Sequence, residues 1–105
     1  MQYDLDMASP HRALFISARA YLLSHPGVVE TRKPRITSFA LGKQALCHLR
    51  TMPYGIDLGF LQGAMMQDVP ARLTGTGKRL RVLSLQTFDR DLVAYYVKQA
   101  LTLAG

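Results

Sequence analysis

Tryptophan is absent from this 105-residue chain, cysteine occurs once, at Cys47, and seven acidic residues stand against thirteen lysines and arginines. Each scarcity excludes something. A lone cysteine forms no internal disulfide, and with no second cysteine nearby it builds no thiolate zinc site. A reducing compartment, the cytoplasm, is the expected location. Every apolar run is broken by a charge or a turn residue well short of the ~20 residues that cross a bilayer. Met1 to Met7 carry Asp4 and Asp6 where an export leader has basic residues, so neither export nor a membrane anchor is expected. No internal repeat, low-complexity tract or linker divides the chain.

Apolar residues make up 49% of the sequence and charged residues 19%, a globular composition too hydrophobic for disorder. The length suits one hydrophobic core. A formal charge of +6 favours an anionic partner through long-range attraction. Nucleic-acid binders cluster their basic residues and interleave exposed aromatics, whereas here the basic residues run along the whole chain.

Residues 1–8 lack periodicity and read as a tail, leaving 9–105 as a single α+β domain. Ser9 and Pro10 signal a helix start, as N-cap and first helical residue. The helix is expected from about Pro10 to Ser24, ended by His25, Pro26 and Gly27. Leu14, Phe15, Ala18, Tyr21 and Leu22 share its core face, with Arg12 and Arg19 opposite. Ile16 and Leu23, seven residues apart beside those arginines, are either covered by a loop or the tail, or form a homodimer contact.

A basic stretch, Arg32, Lys33 and Arg35 around Pro34, leads into the first expected strand, Ile36 to Leu41. Gly42 and Lys43 turn it into a second, Gln44 to Thr51. Met52 to Gly55 reads as a hairpin loop before a third strand, Ile56 to Leu61, whose Ile56, Leu58 and Phe60 share a face. That loop sets Arg50 opposite Asp57, a cross-strand ion pair. Asp68, Pro70, Gly75 and Gly77 make Gly63 to Lys78 irregular. Arg79 to Gln86 reads as the fourth strand, and Thr87 or Asp89 caps a last helix to about Leu103. There Leu92, Val93, Tyr96, Ala100 and Leu103 form the buried stripe, with Asp91, Tyr95 and Lys98 facing water. The expected fold is thus an antiparallel sheet of about four strands between an N-terminal and a C-terminal helix.

The run Ile56-Asp57-Leu58-Gly59-Phe60, the pair Gly63-Ala64 and the stretch Leu73-Thr74-Gly75-Thr76-Gly77-Lys78-Arg79-Leu80-Arg81 resemble the YdhG-like family of bacterial domains of unknown function. That resemblance spans roughly residues 25–100, with its specific motifs in 56–81, and implies an α+β fold of the kind compared with frataxin. The chain departs from the family pattern where Asp57 replaces a common Asn, and where Gln62 and Val82 replace common His residues. One residue only, Val69, separates Asp68 from Pro70. A family ligand site using those polar groups is altered here. Some relatives are described as iron chaperones, a role that implies exposed carboxylates as hard oxygen ligands. Here the first helix holds no acid, and Asp4, Asp6, Glu30, Asp57, Asp68, Asp89 and Asp91 are scattered. No metal ligands and no cofactor are therefore expected.

Gly75-Thr76-Gly77-Lys78 invites a phosphate-loop reading, but Arg72 stands where a Walker A motif needs Gly, Arg79 follows the lysine, and a strand comes next. The glycines suit a turn needing positive φ. Backbone N–H groups at Gly75 and Gly77 beside Arg72, Lys78 and Arg79 are the candidate site for a small anion. A second cluster is His48, Arg50 and Asp57, alternating onto one sheet face, with Arg81 joining from the fourth strand. It either binds a carboxylate or acts as a base, or it is the solvated face of the sheet with its ordinary charge pair. Cys47, adjacent to His48 on a strand, points into the core, so the two make no dyad. His11 and His25 lie at opposite ends of one helix, too far apart for a shared metal.

No nucleophile, base and oxyanion donor converge in this reading. The expected function is a non-enzymatic binding or adaptor domain recognising a small anion or an acidic surface. Its rivals are a weak nucleic-acid binder, and the iron chaperone that the resemblance implies.

Overall fold

The chain, described from Met1 to Gly105 in a computed structural model, forms three helices and six strands. In order these are α1 (Gln2–Met7), α2 (Arg12–Leu23), β1 (Val28–Arg32), β2 (Thr37–Leu41), β3 (Gln44–Met52) and β4 (Gly55–Phe60). A 3-10 turn at Gly63–Met65 precedes β5 (Leu73–Thr74), β6 (Arg81–Leu85) and α3 (Arg90–Ala104). The fold is α+β, and its sheet is antiparallel with N- and C-terminal helices packed on it. The strand order is β1-β2-β3-β4-β6-β5. Six strands replace the four expected, β1 and β5 being the additions.

Strand alternation decides which side of the sheet is covered. Phe39, Cys47, Leu49, Ile56, Leu58, Phe60, Leu83 and Leu85 are all buried, and they merge with Phe15, Ala18 and Leu22 of α2 and Val93, Tyr96, Val97 and Ala100 of α3 in one core. Register shifts in the β2–β3 pairing between Phe39 and Ala40, so Phe39 faces Cys47 while Ala40 faces Ala45. That bulge gives Leu46 an extra place in the core. The β3–β4 hairpin is tighter than expected, since Met52 pairs with Gly55 and leaves only Pro53 and Tyr54 as the loop. A Cβ at Gly55 would sit 2.0 Å from the Leu85 carbonyl oxygen, so the close approach of β6 requires glycine there.

The N-terminal tail is a correction: residues Gln2–Met7 are helical and Asp6 is fully buried. Its Oδ1 accepts hydrogen bonds from the Thr51 backbone N–H (2.9 Å), the Thr51 hydroxyl (2.7 Å) and the Gln2 amide (2.9 Å). Tyr3 packs edge-on against Phe15 and carries the Arg32 guanidinium 3.5 Å over its ring centre. Ser9 does not cap α2; its hydroxyl accepts the His11 N–H in the turn that precedes Arg12. Asp89 does cap α3, accepting the Leu92 N–H at 3.1 Å. No helix is long and apolar enough to cross a membrane.

Candidate functional site

All three helices contact the same face of the sheet, which leaves the other face without a covering layer. On β3, β4 and β6 the residues between the core positions point to that open face: His48 and Arg50, Asp57 and Gly59, Val82 and Ser84. Register sets them in rows, His48 opposite Gly59 opposite Val82, and Arg50 opposite Asp57 opposite Ser84. A depression of about 230 Å³ lies over these rows, lined by Ile36, His48, Arg50, Asp57, Gly59, Leu80 and Val82.

The expected register of Arg50 against Asp57 is present, but the expected ion pair is not. Ion pairs join the Met1 amino group to Asp4, and Arg19 and Arg32 to Glu30, so Arg50 belongs to none of them. Asp57 Oδ1 is instead taken by two hydroxyls, those of Tyr54 and Ser84, the latter at 2.7 Å. Burial, helped by the Asp57 hydrogen bond, raises the Tyr54 pKa, so the phenol stays a donor. Burial, and then the charge of Lys33, lowers the pKa of His48 and favours its neutral form. The site therefore presents an unpaired guanidinium, a neutral imidazole and a carboxylate with one oxygen engaged, on a bed of aliphatic side chains.

Arg81 is not part of it. It pairs with Phe60, on the core side of the sheet, and Ser84 occupies the place beside Asp57. The Arg81 guanidinium donates to the carbonyls of Gly77 and Leu80. The candidate anion loop is thus folded around a cation of its own: Gly75 has φ +124°, and the Arg79 carbonyl accepts the Ala64 N–H at 2.8 Å. Gly75, Gly77, Lys78 and Arg79 form one exposed turn, but Arg72 lies beyond the far end of β5, where it donates to the Ser84 carbonyl. The five residues are not assembled into one cradle.

Of the other candidates, Leu23 packs against the core while Ile16 stays 38% exposed, so the two do not form one apolar patch. Cys47 is buried and its thiol pKa is pushed up to about 12 by burial, as its inward orientation requires. Nowhere do three His, Cys, Asp or Glu side chains stand together. The largest concavity, about 640 Å³, is an open trough on the solvent side of α3 beside Met65 and Gln67. Its charged groups, Asp91 and Lys98, are both exposed on one helix. Sequence reasoning missed Gly59, Ile36, Leu80 and Val82 as lining residues. Their one signal was a glycine inside an otherwise apolar strand, which marks a bulge or a close approach.

The chain matches no family model, no curated protein and no solved structure.

Proposed function

We propose that this protein is a YdhG-like, cytoplasmic, non-enzymatic binding domain that holds a small anion in the depression on its open sheet face. Arg50 carries the proposal: it lines a concavity and forms no ion pair within the chain, the carboxylate opposite it, Asp57, having one oxygen held by two hydroxyls. Arginine offers a planar fork of donors suited to carboxylate or phosphate, and the net charge of +6 draws such a ligand in.

The test is an amide chemical-shift titration with acetate and with phosphate. Shifts at His48, Arg50 and Gly59 that are abolished in Arg50→Ala and kept in Lys78→Ala are expected. Shifts centred on Gly75 to Arg79, or none at either site, overturn it. The nucleic-acid reading draws on Lys33 and Arg35, which flank Pro34 in the turn leading to Ile36 at the rim of the depression. Binding to single-stranded RNA that falls steeply with salt is its signature.

A further inference from the structure

A concavity of about 350 Å³ opens where β6 runs into α3, between the tip of the β3–β4 hairpin and the residue that precedes β5. Arg72 and Asp89 both line it. They carry opposite charges, yet they form no ion pair with each other or with any other group of the chain. Each is held in place from behind.

Arg72 is tethered at its backbone and at its side chain. Its N–H donates to Asp68 Oδ1 at 3.0 Å, Asp68 is gripped in turn by the Tyr96 hydroxyl of α3, and the guanidinium donates to the Ser84 carbonyl at 3.3 Å. The residue before it, Ala71, has φ +55°, a left-handed conformation that a non-glycine residue adopts only at a cost. One N–H group of the guanidinium is spent on that carbonyl, and the fork keeps its other donors. Asp89 is fixed by its cap, since Oδ1 accepts the Leu92 N–H at 3.1 Å, which leaves Oδ2 free.

Those two charges decide what can settle between them. A simple anion drawn to Arg72 meets the repulsion of Asp89, and a simple cation drawn to Asp89 meets that of Arg72. A molecule carrying both signs gains at both ends. Leu85 and Leu92 are aliphatic, while the exposed Gln86 and Thr87 add an amide and a hydroxyl, so the lining favours a small, polar body. The volume of about 350 Å³ lies at the lower end of the roughly 300–1,000 Å³ common for small-molecule sites, which suits a ligand of amino-acid size.

We infer that this concavity binds a small zwitterion of the free amino acid class, with its carboxylate on Arg72 and its ammonium on Asp89. The site is separate from the anion site at Arg50 and does not depend on it.

Amide chemical shifts during titration with L-serine test it, alongside N-acetyl-L-serine, which lacks the ammonium, and ethanolamine, which lacks the carboxylate. L-serine should shift Gln86, Thr87 and Leu92, and each of the other two should bind there at least tenfold more weakly. Arg72→Gln and Asp89→Asn should each weaken L-serine at least tenfold. Asparagine still caps a helix, so the second variant removes the charge without unpinning α3. Lys78→Ala, outside the concavity, should bind L-serine as the wild type does. Either single-charge compound matching L-serine, either variant at Arg72 or Asp89 binding it undiminished, or no shifts at Gln86, Thr87 and Leu92 overturns the inference. N-acetyl-L-serine is itself an anion, and shifts it produces at His48, Arg50 and Gly59 report on the other site, so the two readings stand or fall separately.

Discussion

His48 shows how one side chain couples the open face to pH. Its imidazole is half-buried, Lys33 adds a like charge, and Arg50 and Asp57 line the same depression. The folded-state pKa lies below the unfolded value of 6.5, so the unfolded chain takes up the proton first. Stability is therefore unaffected above that value and declines as pH falls through it toward the folded pKa. Thermal melts at pH 7.5 and 5.5 should show a larger drop for the wild type than for His48→Gln; equal drops count against this placement. The glycines make an independent residue-scale contrast. Gly59→Ala should be neutral or stabilising by up to about 1 kcal/mol in urea titration, and Gly55→Ala should cost more than about 1 kcal/mol. Parallel losses would mean that Gly59 is held by packing after all.

At the scale of elements, what the sequence reveals depends on how much pattern each segment carries. The β3–β4 pairing was legible because Ile56, Leu58 and Phe60 alternate cleanly and the tight turn leaves one register. The cap of α3 was legible only as Thr87 or Asp89, and the structure gives it to Asp89, which directly precedes the helical stripe. By contrast β1 hides its alternation: Glu30 lies on the core side, where Arg19 reaches it, and Val29 is 61% exposed on the other. Burial works to raise the Glu30 pKa, but the Arg19 and Arg32 contacts outweigh it and hold the carboxyl below its usual value. An apolar-inward pattern cannot find such a strand. Two residues of β5 and six of α1 are too short for any period. Yet α1 is anchored by a buried carboxylate, and Asp6→Ala should cost about 1–3 kcal/mol because the Thr51 N–H loses its acceptor. A urea midpoint unchanged by that substitution would show that α1 contributes nothing to the fold.

On the whole molecule, the helices cover one face and leave the other to solvent, which strand parity alone foretold for His48, Arg50 and Asp57. Arg81 was misplaced because parity within β6 has meaning only once its register against β4 is known, and the loop before it gives no fixed count. The apolar bed of the depression was illegible for a related reason: Ile36 and Leu80 stand just outside strands and reach it through the tertiary fold. Single exposed aliphatics such as Ile16 are ordinary on soluble surfaces, so light scattering should return a monomer mass, unchanged in Ile16→Lys. A dimer that this substitution dissolves would instead make α2 an interface.

The insertion of β6 between β4 and β5 also constrains the order in which the protein is made. A nascent chain that has emerged as far as Phe60 can pair β1 through β4 as a meander, but β4 then presents a bare edge and Ile56, Leu58 and Phe60 have only part of their cover. Residues 81–85 must thread back alongside that edge before the central sheet is complete, and until they do it remains open to pairing with another copy. The depression, which takes Val82 as one wall, is accordingly among the last features of the molecule to exist.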